Sequence, residues 1–215
     1  MEIELALTKI NDLIAEISRL YEDVCDAWVD HSQRNGIRSF NQKSKKIVDI
    51  EDEGLMPIIK EYTQFLRDLS EIIQFDHFED GFIVNQRIKN NNSIEEKYDE
   101  YLNVRKEKGE VSINKCFNDL FGIRAIVASD ELTYELLEKN IFGRNLLIEE
   151  KDVISNKFNI RYKATHVYFK RDNTAFRWEL QIWRMCDEHS NQESHLNHRY
   201  RYTEWESQSR NTSTI

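Results

Sequence analysis

Four short clusters between Arg87 and Gln181 carry the residue types needed to transfer a phosphoryl-type group. Such transfer needs cations for a polyphosphate, a carboxylate for a metal ion and an oriented attacking hydroxyl. The first cluster is Arg87-Ile88-Lys89, followed by Ser93-Ile94-Glu95-Glu96-Lys97. Arg87 and Lys89 alternate at the end of a predicted strand, so both point to one face. Ser93 reads as the N-cap of the next helix, and Lys97 lies four residues on along the same helical face. Two strand-end cations, a helix N-terminus and a reinforcing lysine make an anion site. The chain has no G-x-x-x-x-G-K, so this is not a P-loop.

The second cluster, Asp119-Leu120-Phe121-Gly122-Ile123-Arg124, places an acid at a predicted helix end, before a strand. An oxygen ligand there can hold Mg²⁺. The third, Tyr162-Lys163-Ala164-Thr165-His166, opens a strand with a ring that can stack on a base and two groups that can meet phosphate or hydroxyl. The fourth is Glu179-Leu180-Gln181 inside an apolar strand. Glu179 and Gln181 share one face while Leu180 and Ile182 take the other. A carboxylate so placed is a candidate general base or second metal-orienting group.

The order Arg-x-Lys-x₃-Ser-Ile-x-x-Lys, Asp-x-x-Gly-Ile-Arg, Tyr-Lys-x-x-His and Glu-Leu-Gln-Ile, then His195 near Arg199 and Tyr200, resembles the RelA/SpoT synthetase domain over Phe82–Tyr202. The resemblance implies a small single-domain alarmone-synthetase type and a nucleotidyltransferase-like fold. It also implies Mg²⁺ as cofactor and transfer of the β,γ-diphosphate of ATP to a ribose 3′-hydroxyl. Arg87, Lys89, Lys97 and Arg124 would bind ATP, with Ser93 starting the helix below the phosphates. Asp119 would hold the metal. Glu179 would activate the hydroxyl or complete the metal site. Tyr162 would stack on the acceptor base, with Lys163, His166 and Gln181 lining the acceptor pocket. The sequence departs from the guanosine-alarmone pattern at Arg161, where Gly is usual, and at Trp183, where Arg is usual. No His-Asp metal pair precedes the region, and Asp76-His77 has the reverse order, so no hydrolase domain is expected.

The elements that must position these groups are legible in the apolar spacing. Ile3, Leu7, Ile10, Ile14, Ile17, Tyr21, Val24 and Trp28 make one helical stripe; Leu55, Ile59, Tyr62, Leu66, Leu69 and Ile73 make another. They predict an N-terminal helical hairpin over 1–75, with Pro57 near the start of the second helix. Short strands are expected at Phe82–Val84, Ile123–Val127, Leu146–Ile148, His166–Phe169 and Trp178–Trp183. Helices are expected near Ile94–Val104, Ile113–Leu120, Glu131–Lys139 and Asp187–Tyr200. The predicted fold is therefore α/β (α+β), a mixed sheet flanked by helices. The predicted organisation is a hairpin over 1–75, a synthetase domain over 76–205 and a tail over 206–215.

The chain has 215 residues, 40% hydrophobic, with a net charge of −9. That suffices for one packed α/β domain with an added helical element. Acid at Met1-Glu2-Ile3-Glu4 and the lack of a long apolar run predict no signal peptide and no membrane partner. Three scattered cysteines predict reduced thiols and a cytoplasmic protein. One segment reverses the charge: Arg34, Arg38, Lys43, Lys45 and Lys46 occur with no acid among them and are candidate RNA contacts. That segment and the altered Arg161 and Trp183 favour tRNA as acceptor, and the chain end soon after Trp205, without the further C-terminal helices of the small tetrameric alarmone synthetases it resembles, disfavours their tetramer. The protein would then be a translation-inhibiting toxin with an antitoxin partner. GDP or GTP is the alternative acceptor, favoured by the overall acidity. An inactive binding module is disfavoured by the presence of Asp119, Glu179, Arg87 and Lys89.

Overall fold

Strict alternation decides what the sheet buries. The computed structural model describes residues 1–69, 73, 75, 82–143, 145–155 and 160–196. Five strands form one sheet: β1 (Phe82–Ile88), β2 (Phe121–Val127), β3 (Leu146–Ser155), β4 (Ile160–Phe169) and β5 (Trp178–Arg184). Their spatial order is β1-β2-β5-β4-β3, with β2 and β5 parallel and the other neighbours antiparallel. On one face Phe121, Ile123, Ala125 and Val127 align with Trp178, Leu180 and Ile182, and on through Val167 and Phe169. These are buried and belong to the main core. The other face carries Arg87, Arg124, Glu179, Gln181, His166 and Tyr162.

Helices cover the apolar face. Helix α1 (Ile3–Arg34) buries Ala6, Ile10, Leu13, Ile14, Ile17, Leu20, Tyr21, Val24 and Cys25, a seam wider than the predicted stripe. It runs beyond Trp28 because His31 stacks on that ring and lies 3.0 Å from Glu61 of α2 (Leu55–Asp68). Trp28 also meets Tyr62 and Phe65, which closes the expected hairpin. Tyr21 contacts Phe169 and Trp178 of the sheet, and the Trp178 indole donates to the Tyr62 hydroxyl at 3.0 Å. Hairpin and sheet thus share one core.

The mixed α+β architecture agrees with the expectation, while element ends shift for local reasons. Helix α2 stops at Asp68, short of Ile73. Helix α3 (Asn91–Asp99) begins before Ile94 and continues as a π turn, Glu100–Val104. Its cap is Asn90 and not Ser93: the Asn90 side chain accepts from the Ser93 N–H at 2.8 Å. Helix α4 is only Ile113–Cys116, because Phe117 leaves helical geometry and is buried in the core. Helix α5 (Tyr134–Asn140) starts late, at the Thr133 cap. Helix α6 covers 188–196; the expected continuation to Tyr200, with Arg199, lies outside the described residues, as does Asp76-His77.

The Trp178–Tyr62 hydrogen bond sits wholly inside the core. Tyr62→Phe removes its acceptor and is expected to cost about 1–3 kcal/mol in urea unfolding, with no change in helix or strand content by circular dichroism.

Candidate functional site

The polar face is assembled by strand register. Gly122 pairs with Arg87 on one side and Glu179 on the other; Arg124 pairs with Asn85 and Gln181; Gln181 pairs with His166. Side chains at paired positions share a face, so these rows bring Arg87, Glu179, Arg124, Gln181 and His166 together. Gly122 is the floor of the first row: a Cβ there would stand 3.5 Å from Arg87 Nε, so a bulky side chain would displace the guanidinium.

Asp119 sits just before β2, between two ammonium groups. Lys89 Nζ donates to one carboxylate oxygen at 2.6 Å and Lys97 Nζ to the other at 2.9 Å. Lys89 is held close because its N–H donates to the Leu120 carbonyl. Lys97 is carried in by α3. Burial alone would raise the Asp119 carboxyl, but the two ammoniums outweigh it and hold the group well below the usual carboxylate range. Ser93 lies one turn before Lys97, half-buried, with its N–H committed to Asn90.

Glu179 is buried in β5 with both oxygens engaged. His166 Nδ1 lies 2.8 Å from one, and Gln181 Nε2 donates to the other at 2.8 Å. Burial pushes this carboxyl up, and the hydrogen bonds from His166 and Gln181 bring it below its ordinary value. With Nδ1 donating to the carboxylate, His166 Nε2 accepts from the Tyr162 hydroxyl at 2.9 Å. Gly122, three residues after Asp119, pairs with Glu179, so the two acids come to the same end of the sheet.

At the other end of this face, Trp183 is fully buried. The Arg124 guanidinium lies 3.7 Å from its ring centroid, and His195 stacks on it at 5.5 Å. Burial, then the charge of Arg87, lowers Arg124 to about 10. Tyr162 meets both Trp183 and His195 edge-on.

Two predicted neighbours are not brought here. Tyr162, Ala164 and His166 occupy one parity of β4, so Lys163 projects from the opposite face, 3.9 Å from Glu150. Arg161 shares that parity and pairs with Asp152 at 2.7 Å, so it does not reshape the polar face. The basic segment is not a free loop. Lys46 pairs with Glu110, Arg38 lies over Phe40, and Arg34 donates to the Asp30 carbonyl. Gln42 bonds Asn173 and Thr174 in the turn leading to β5, and its carbonyl accepts from Asn114 of α4. The segment is therefore tied to both loops that lead into Asp119 and Glu179, with Lys43 exposed and Lys45 half-buried.

Sequence reasoning missed Asn191. This buried side chain accepts from the Lys163 N–H and donates to the Lys163 carbonyl, each at 2.8 Å. It stands in for a strand where β5 no longer pairs with β4. That clasp docks α6 and so places His195 on Trp183. A lone asparagine in a polar helix gives no sequence signal for this role. A separate open cavity of about 1000 Å³ lies beside Met1, Ser129 and Met185 and includes none of the candidate residues.

Asp119 and Glu179 are the hard oxygen donors that Mg²⁺ takes, so the pair fits the ion. Among the described residues no cluster of three or more ligating side chains completes a cage. Polyphosphate and water oxygens would supply the rest.

Two structural outcomes are expected. Lys97→Met leaves Asp119 with one ammonium and should lower stability by about 2 kcal/mol in urea titration. Asn191→Ala should loosen α6, read as faster amide exchange across 188–196 with β2 and β5 unchanged.

The family model described as the region found in RelA / SpoT proteins matches residues 86–207, more than half of the chain. No curated protein sequence matches. Among solved structures, small alarmone synthetase 1 from Bacillus subtilis is 16% identical, covering 71% of this chain and 82% of that one, with a TM-score of 0.41. A GTP pyrophosphokinase family protein from Streptococcus pneumoniae is 21% identical, covering 68% and 74%, with a TM-score of 0.40. Small alarmone synthetase 2 from Bacillus subtilis is 18% identical, covering 72% and 81%, with a TM-score of 0.36. Matched through the whole polar face from Gln86 onward, the chain belongs to the RelA/SpoT family.

Proposed function

We propose that this RelA/SpoT-type pyrophosphokinase transfers the β,γ-diphosphate of ATP to the 3′-terminal ribose of tRNA. The observation that carries the transfer reading is the juxtaposition of Asp119, held by Lys89 and Lys97, with Glu179, held by His166 and Gln181.

In this reading Arg87, Lys89 and Lys97 take the polyphosphate, and the two lysines keep Asp119 ionised until substrate arrives. Mg²⁺, held by Asp119 and Glu179, would supply neutralising charge to the phosphates. Arg124, pinned on Trp183, lies against the nucleotide. Glu179 orients the 3′-hydroxyl and accepts its proton. The hydroxyl oxygen forms a bond to the β-phosphorus, the bond from that phosphorus to the α–β bridging oxygen breaks, and AMP leaves. His166 and Gln181 fix the carboxylate, and Tyr162, edge-on to Trp183 and His195, contacts the acceptor base.

The RNA acceptor is supported by the basic segment bonded to the loops before Asp119 and Glu179. A tRNA extends beyond any nucleotide pocket and needs cations outside it. Such an enzyme would arrest translation and call for a neutralising antitoxin protein. The second reading, GDP or GTP as acceptor, is favoured by the net charge of −9. No helix among the described residues is long and apolar enough to cross a membrane.

The deciding experiment incubates the protein with γ-labelled ATP and either deacylated tRNA or GDP and GTP. Label is expected in tRNA. Neutralising Lys43, Lys45 and Lys46 together should reduce tRNA labelling and flatten its salt dependence by about one counterion per lost contact, with ATP affinity unchanged. Label confined to GDP or GTP rejects the RNA acceptor and leaves the guanosine-nucleotide reading.

A further inference from the structure

Strand β3 closes one side of the sheet. It pairs with β4 over all ten of its residues, and no described strand lies on its other side. A free edge of that length is a template for a further strand. Natural sheets blunt such edges with charged side chains, proline, bulges or short strands, and β3 carries its charges in one block, Glu149–Asp152, at its centre. The β3 sequence, LLIEEKDVIS, has neither proline nor glycine, and its register with β4 is unbroken. It also exposes apolar side chains: Leu147 is 44% exposed, Val153 57% and Ile154 55%.

The pattern along β3 is self-complementary. A two-fold axis perpendicular to the sheet sets two copies of β3 antiparallel and keeps each face of the sheet on its own side. Only residues of equal parity can then pair. With the axis at Glu150, Leu146 meets the partner's Ile154, Leu147 meets the partner's Val153, and Glu149 meets the partner's Lys151. All three exposed apolar residues find apolar partners and opposite charges flank the axis on both sides, while the half-buried Ile148 meets the partner's exposed Asp152. Cross-strand pairs of these kinds stabilise antiparallel sheets. Shifting the axis to Glu149 sets Leu147 against the partner's Lys151. Shifting it to Lys151 sets Glu149 against the partner's Val153, and Glu150 against the partner's Asp152. At the Glu150 axis two like charges do meet; Lys163, 3.9 Å from Glu150 in each copy, offsets them.

We propose that β3 is a self-association edge, joining two copies of this chain into one continuous sheet about a two-fold axis at Glu150. The axis is perpendicular to the sheet, so both polar faces open on the same side of the dimer. The inference does not depend on which acceptor the enzyme uses.

Sedimentation velocity of the full chain over the micromolar range tests this. A concentration-dependent monomer–dimer equilibrium is expected. Glu149→Lys alone places lysine opposite lysine twice and should weaken the dimer about tenfold or more; Lys151→Glu alone should do the same. The double exchange, Glu149→Lys with Lys151→Glu, should restore the dimer. Val153→Lys with Ile154→Lys should leave a monomer with unchanged circular dichroism. A wild type that stays monomeric throughout overturns the proposal. So does a dimer indifferent to these changes, or a double exchange that folds normally without recovering association.

Discussion

The parallel pairing of β2 with β5 is the constraint on which the polar face depends. It sets Gly122 beside Glu179 and Arg124 beside Gln181. The acid before β2 and the acid at the start of β5 therefore come to the same end of the sheet, although they stand 60 positions apart in the chain, an interval that holds β2, α5, β3 and β4. The same register puts Trp178, Leu180 and Ile182 on the opposite face, where α1 and α2 bury them. One β-strand period thus divides β5: even-numbered residues anchor the core and odd-numbered residues line the polar face.

Charge balance at the two carboxylates follows from that placement. A buried carboxylate is costly without partners. Asp119 meets two ammonium groups, and Glu179 meets an imidazole and an amide. These are different solutions. The lysines around Asp119 bring net positive charge, which suits a polyanion. The neutral amide and the His166–Tyr162 relay around Glu179 fix direction and leave the carboxylate its charge. An anionic substrate reaching this face would meet Arg87, Lys89, Lys97 and Arg124 within one sheet row of the acids.

Much of this was legible in the sequence, and the failures have identifiable causes. The helical stripes and the Val/Ile/Trp-rich strands gave the architecture, because burial writes a period into the chain. In the sequence only Leu146–Ile148 shows as a strand, because Glu149-Glu150-Lys151-Asp152 hides the strand period behind charge; pairing with β4 extends β3 to Ser155. Strand parity already separates Tyr162 and His166 from Lys163 in the sequence, and only adjacency places Lys163 beside them. Asn90 won the cap from Ser93 since any Asx or Ser in that run could serve, and only packing of Ile94 chooses. Asn191 and the Trp183–Arg124–His195 stack depend on contacts distant in sequence, which no local pattern announces.

The proposed transfer rests most directly on Glu179 as the group that would orient and deprotonate the attacking hydroxyl. Glu179→Gln keeps the size and the hydrogen-bonding reach toward His166 but cannot take a proton. The decisive measurement is the rate of label transfer from γ-labelled ATP at saturating substrates, alongside direct ATP binding. The general-base role of Glu179 predicts a fall in kcat of about 10²-fold or more with ATP affinity nearly unchanged. A variant that turns over at the wild-type rate, or that loses only ATP affinity, would contradict it.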